Sequence, residues 1–229
     1  MQGKGYQATL KEEVKLILSS VKSGANIAVD IGANVGGYTE ELLLVNPNMK
    51  VHIFEPSKTN VEILKKKFMN IEVVTINSLA VSEKTGVATL FSDKPGSGLG
   101  SLSKRKLEHF EIDFNETESV STIRFEDYWI NTLNYAELDV VKIDVEGYEL
   151  GVLKGFGKAL SKTKSIQFEF GGTCIDTRVF FQDFWYFLCE KNYSIYRITP
   201  FGLEHIDKYR ECDETFYYTN FLALNNLYH

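Results

Sequence analysis

A chain of 229 residues that is 44% hydrophobic and 24% charged has ordinary globular composition and enough length for a full core, which excludes a disordered segment. Its formal net charge of −6 repels a phosphate backbone and disfavours nucleic acid as a partner. No window approaches the roughly 18 consecutive apolar residues of a membrane span. Met1-Gln2-Gly3-Lys4 leads into the charged Lys11-Glu12-Glu13, not into an apolar secretory segment, so the chain is expected to be cytoplasmic. Cys174, Cys189 and Cys212 form no C-x-x-C pair and are expected to be buried free thiols.

In chain order, Val14, Ile17, Leu18 and Val21 recur at helical spacing, placing an N-terminal helix within residues 1–25 that Ser23-Gly24 ends. Ile27–Ile31 is a short β-branched run of the buried-strand type. A glycine turn (Gly32, Gly36, Gly37) leads to a helix over Tyr38–Val45, then a strand over Val51–Phe54. Ser57 or Thr59 can cap the next helix, with Thr59 and Glu62 spaced as a capping box. Further strands fit Ile71–Ile76, Asp139–Ile143 and Ile166–Phe170, with helices over Phe125–Leu133, Leu150–Leu160 and Val179–Cys189. Two last strands fit Tyr193–Thr199 and Tyr217–Leu224. Strands alternating with helices at this pace mean βαβ units and a mostly parallel sheet. The rhythm breaks near residues 82–124, where glycines interrupt alternating stretches and an inserted hairpin or lid is expected. No linker divides the chain, so a single domain over 1–229 is expected: a core over 26–170 with that insertion, and a C-terminal part over 171–229.

In open parallel sheets, ligands sit beyond the carboxyl ends of the strands. Those ends here are Asp30 to Gly37, Glu55-Pro56, Asn77 to Ala80, Asp144 to Tyr148, and Glu169 to Gly172; only the third lacks a carboxylate. The first end reads G-x-N-x-G-G, with Asn34 where a dinucleotide fingerprint has its middle glycine. Glu55 closes the next strand about 20 positions on, where a ribose-binding carboxylate is expected. Either a nicotinamide cofactor or S-adenosylmethionine could use such a turn. Charge separates them: a pyrophosphate at a helix N-terminus disfavours a neighbouring anion such as Asp30, whereas the ammonium and sulfonium of S-adenosylmethionine attract one. The backbone donors of the turn could serve its carboxylate. The plainer reading has Asp30 and Glu55 only bonding loops.

Val29-Asp30-Ile31-Gly32-Ala33-Asn34-Val35-Gly36, Phe54-Glu55-Pro56, Leu79-Ala80-Val81-Ser82, Ser101-Leu102 and Val141 to Glu149 resemble the FkbM family of S-adenosylmethionine-dependent methyltransferases, with Asp144-Val145-Glu146-Gly147-Tyr148-Glu149 the most specific part. The similarity runs from about Asn26 to Phe170. The resemblance implies a seven-stranded methyltransferase fold with helices on both faces. It also implies methyl transfer to oxygen, on a small-molecule or glycan acceptor such as a sugar or natural product. It places Asp30, Gly32, Asn34 and Gly36 in the cofactor loop, Glu55 with Pro56 at the ribose, Ser78, Leu79 and Ala80 beside adenine, and Asp144 facing the transferred methyl group.

Transfer to a hydroxyl needs alignment and removal of a proton. Asp144, Glu146 and Glu169 are the candidate bases, because carboxylates converging on one cleft raise at least one pKa. The plainer roles are capping for Glu146 and a solvent-facing position for Glu149. Tyr148 is a candidate acceptor contact, while the aromatic stripe Phe180 to Phe187 reads as core. Gly96-Ser97-Gly98-Leu99-Gly100 reads as a lid or a surface loop, and Lys104-Arg105-Lys106 as a solvated face. The four histidines are far apart and signal no metal site, although Asp144, Glu146 and Glu169 could together hold Mg²⁺ or Ca²⁺. Two competing readings are an NAD(P)-dependent oxidoreductase, which needs glycine at Asn34 and lacks a Tyr-x-x-x-Lys relay, and a non-catalytic binding module.

Overall fold

A computed structural model describes residues 10–21 and 25–228. The leading residues Met1–Lys4, the part of the N-terminal helix before residue 10 and its stop at Ser23-Gly24 lie outside the described residues. In chain order come α1 (Leu10–Ser20), β1 (Ile27–Ile31), α2 (Gly37–Val45), β2 (Lys50–Phe54), α3 (Lys58–Lys67) and β3 (Val74–Asn77). β4 (Ala80–Ser82), β5 (Gly86–Ser92) and β6 (Glu116–Arg124) follow, then α4 (Phe125–Asn131), β7 (Leu138–Ile143), α5 (Glu149–Phe156) and β8 (Thr163–Phe170). The chain closes with α6 (Thr173–Thr177), α7 (Phe181–Glu190), β9 (Tyr193–Thr199), β10 (Gly202–Ile206) and β11 (Thr219–Asn225).

Eight strands form the main sheet, in the order β10-β9-β11-β8-β7-β1-β2-β3. Strands β3, β2, β1, β7 and β8 pair in parallel, while β11 runs against both its neighbours. The eighth strand, β10, is the departure from the expected seven; it pairs antiparallel with β9 through a turn at Gly202. The insertion is a separate three-stranded sheet, β4-β6-β5, in which β5 and β6 form an antiparallel pair joined by a long loop. Local boundaries also shift. The capping box at Thr59 is not used, because α3 starts at Lys58 with Ser57 before it. The helix expected to reach Leu160 stops at Phe156 and tightens into a 3₁₀ turn over Gly157–Lys162.

The period of two along buried strands sorts side chains onto two faces. Val29, Ile31, Val141, Ile143, Phe168 and Phe170 meet Phe125, Trp129, Phe156, Phe181 and Phe184 from α4, α5 and α7 on one face. Ala28, Val51, Ile53 and Val140 meet Val14, Ile17, Leu42 and Leu64 from α1, α2 and α3 on the other. The aromatic helix is therefore core, with Phe184 stacked 5.0 Å from Phe168 and Phe181 at 4.6 Å from Phe221. Each such ring contributes roughly 1.5–3 kcal/mol by burial. The same period sends Asp30, Lys142 and Gln167 to the α1 side, where they form a polar seam rather than an apolar layer.

At the end of the sheet away from those carboxyl ends, Asp139 Oδ2 accepts from the Asn26 and Ile27 amides at 2.7 and 2.9 Å, and Oδ1 pairs with Lys164 at 2.8 Å. Of the three free cysteines only Cys174 is buried; Cys189 is half-buried and Cys212 exposed, so the expected burial holds for one. Among the described residues, no helix is long and apolar enough to cross a membrane.

Candidate active site

Strand order reverses between β1 and β7, and a cleft of about 240 Å³ opens at their carboxyl ends. The two ends are tied by the Asp144 amide, which donates to Ile31 O at 3.0 Å. Gly32 follows β1 with φ +79°, and a Cβ built on it would lie 1.8 Å from Asp144 O. Only glycine meets both the left-handed backbone and this contact. Asn34 also takes a positive φ of 51°, a conformation asparagine adopts more readily than other side chains, which is why the missing middle glycine is tolerated.

Glu55 lies on the cleft wall at 5% exposure. Its Oε2 accepts from the Asn34 amide at 2.8 Å and its Oε1 from the Ser57 amide at 2.9 Å. Burial pushes its carboxyl up to about 7, against the pull of those amides. Three more of the turn's donors are spent internally: Gly32 and Ala33 donate to Phe54 O, and Gly36 to Ala33 O. Those three are therefore not available to the cofactor carboxylate that the sequence assigns to the turn's donors.

Gly32, Asn34, Glu55, Pro56, Leu79, Ala80 and Asp144 all line the cleft. Asp30, Gly36 and Ser78, expected beside the cofactor, do not. Asp30 is fully buried on the α1 face, accepting from Thr39 Oγ1 at 2.7 Å with Lys142 nearby, because its strand position shares a face with Ala28. Gly36 packs against Leu64 and Phe68 at the start of α2, and Ser78 turns to solvent between two inward positions.

The opposite wall is built by the turn after β7. Asp144 Oδ2 pairs with Lys142 Nζ at 2.9 Å, and Lys142 lies 5.3 Å from the Tyr38 ring. Glu146 lines the cleft in a left-handed backbone conformation (φ 56°) and accepts from Arg105 Nη1 at 2.8 Å. Burial, then neighbouring Asp144, push Glu146 up to about 7, while Arg105 pulls it down. Gly147 has φ +101°, and a Cβ there would stand 2.6 Å from Thr173 O.

Glu149 corrects two expectations. It is 1% exposed, not solvent-facing, and its Oε1 holds the turn by accepting from the Val145 and Gly147 amides at 3.1 and 3.0 Å. The turn is thus held by Glu149 and not by Glu146, the start of α5 at Tyr148 has no side-chain cap bond, and burial pushes the Glu149 carboxyl up to about 7. Glu169 does not line the cleft. It sits behind the acids on β8, opposite Asn220 of β11, and burial followed by Asp144, Glu146 and Glu149 pushes it up to about 9. Among the described residues no three His, Cys, Asp or Glu side chains are gathered as a metal ion needs, so a joint Asp144, Glu146 and Glu169 metal site has no geometry behind it.

Two buried residues escaped the sequence reading. Glu13 of α1 accepts from Gln167 and Asn220 beneath the acids. Arg105 is 5% exposed instead of lying on a solvated face. The alternation of exposed Lys104 and Lys106 with buried Arg105 and Leu107 was the available signal. The glycine-rich stretch is a cover, not a free surface loop: Pro95 to Gly98 and Gly100 line the cleft, and a Cβ on Gly98 would touch Asn34 Nδ2 at 2.9 Å. Tyr148 lines the same cleft, its hydroxyl 3.3 Å from Ser82 Oγ.

Residues 30–212 match the methyltransferase FkbM domain family. The 2-O-methyltransferase NoeI of Sinorhizobium fredii (strain NBRC 101917 / NGR234) is 25% identical over 164 residues, 67% of each chain. The precorrin-6y C5,15-methyltransferase of Geobacter metallireducens GS-15 shares the fold at TM-score 0.51 and 11% identity, over 99% of this chain and 94% of that one. A proposed methyltransferase of Streptococcus mutans, solved in complex with S-adenosylhomocysteine, gives 0.52 at 10% identity, over 98% and 99%. A glycine cradle with an acid at the next strand end suits S-adenosylmethionine, which needs no phosphate site. With the match covering most of its length, the chain belongs to the FkbM methyltransferase family and is an S-adenosylmethionine-dependent methyltransferase.

Proposed function

We propose that the chain transfers a methyl group to a hydroxyl of a small-molecule or glycan acceptor, a sugar or natural product, with Glu146 as the base. The observation that carries this reading is the Glu146 carboxylate on the cleft wall facing the Gly32–Glu55 side, held in a left-handed turn and pushed to about 7. The named 2-O-methyltransferase relative supports oxygen as the acceptor atom.

When bound, S-adenosylmethionine supplies an electrophilic methyl group on a sulfonium. Glu55 would accept from the ribose hydroxyls with the lone pairs its two amide donors leave free, and Pro56, Leu79 and Ala80 would frame the adenine. Gly32 and Asn34 bring the backbone against the cofactor. Asp144, whose carboxylate is already paired with Lys142, lines the cleft beside Glu146. Glu146, half ionised near neutral pH, takes the acceptor proton. Glu169 does not line the cleft and, pushed to about 9, keeps its proton near neutral pH, so it takes no acceptor proton. Tyr148 orients the acceptor, and the Pro95–Gly100 cover excludes water.

Labelled S-adenosylmethionine offered with methyl glycosides of glucose, galactose, mannose and fucose tests the reading. Expected is label on one hydroxyl, with turnover lowered about 10²- to 10⁴-fold in Glu146→Gln while S-adenosylhomocysteine binds within twofold of the parent. Full turnover in Glu146→Gln would remove Glu146 as the base.

A further inference from the structure

We infer that Arg105 is a positioning residue for methyl transfer: it reaches from the β5–β6 loop to hold Glu146 facing the cleft. The inference rests on the proposed role of Glu146 and assigns a function to a side chain outside the motifs.

The geometry is specific. The Arg105 side chain is 3% exposed between two solvent-facing lysines. Nη1 donates to Glu146 Oε2 at 2.8 Å and Nη2 to the Tyr218 hydroxyl at 3.2 Å, while Nε stands 3.9 Å from Asp176 Oδ2. One planar fork thus joins the insertion loop, the turn after β7 and two C-terminal segments, with its positive charge on Glu146. Glu146 needs such a hold. Its φ of 56° is one that non-glycine residues rarely adopt. Its charged neighbours are Asp144, Glu149, Glu169, Lys142 and Arg105. Lys142 is spent on Asp144, which leaves Arg105 as the cation touching Glu146. Asp176 and Tyr218 face Arg105, not Glu146. Arg105 also belongs to the same loop as the cover over the cleft, so the loop that excludes water also sets the base.

The test compares full-length Arg105→Met and Arg105→Lys with the parent, with Arg105→Gln in place of the methionine variant should that one not fold. S-Adenosylhomocysteine calorimetry reports the cofactor side, ¹³C-carboxyl NMR follows Glu146 (assigned with Glu146→Gln), and the glycoside panel reads turnover. Expected is unchanged S-adenosylhomocysteine affinity in every variant. Without the positive charge, the Glu146 midpoint rises by about one pH unit and turnover at pH 7 falls about fivefold, recovering at pH 9. Arg105→Lys keeps the midpoint. An unmoved midpoint in a folded, charge-free variant would overturn the inference, as would a midpoint displaced equally in Arg105→Lys. Full turnover in Glu146→Gln would instead sink the base reading and leave the Arg105 contact standing.

Discussion

The wall of the cleft made by Gly32, Asn34 and Glu55 and the wall made by Glu146 differ in how far the chain travels to build them. The first needs one strand, one turn and the end of the next strand, and its contacts are mostly backbone: a carbonyl against a glycine, and amides on a carboxylate. The second gathers Arg105, Glu146, Glu149, Asp176 and Tyr218, held largely by side-chain charge. A wall of backbone contacts tolerates few substitutions and specifies one ligand. A wall of side chains from distant segments can be rebuilt for different acceptors without disturbing the other.

Breaking the backbone wall should have the largest effect. Gly32→Ala drives a Cβ into Asp144 O at a left-handed position and is expected to weaken S-adenosylhomocysteine binding on the order of 100-fold, read by calorimetry. A variant binding normally would mean the strand ends part easily. The next largest effect separates the walls: Glu146→Gln loses turnover but not cofactor affinity, whereas Glu55→Gln should weaken cofactor binding about tenfold and leave turnover at saturation near the parent's.

A smaller effect unites them. Glu55, Glu146 and Glu149 are raised to about 7 and Glu169 to about 9. In the folded chain they keep protons that the unfolded chain releases above about 4.5, so stability falls as pH rises from there toward 7, and on toward 9 for Glu169. Urea unfolding of the cofactor-free chain should give a lower midpoint at pH 8 than at pH 5.5, and Glu55→Gln should flatten part of that slope. The smallest effect is expected for Tyr148→Phe, which removes only the 3.3 Å contact to Ser82 and should raise the acceptor KM a few-fold with kcat near the parent's.

The same contrast explains what was legible beforehand. Ile27–Ile31, Glu55 and the Asp144–Glu149 segment could be read because apolar runs mark strands and strand ends mark ligand positions. β10 was hidden because Gly202, Glu204 and His205 leave no apolar alternation, and α6 because five residues carry no helical period. Arg105 looked like solvent charge and the role of Glu13 went unread because their partners are 41 and 207 positions away. Asp30 looked like a rim acid, yet the two-residue period of β1 turns it to the other face. Long-range pairing and facing decided these cases, and neither is written in a short window.

The clasp at Asp139 has a consequence for motion. By joining the start of β1 to β7 and Lys164 of β8, it makes that end of the sheet the stem of a tuning fork whose tines carry the reactive groups. Five residues of strand separate Asp139 from Asp144, a lever of about 16 Å. Loosening the stem should therefore be felt most at the tips, as a change in the gap between cofactor and acceptor rather than as a loss of any group that touches either.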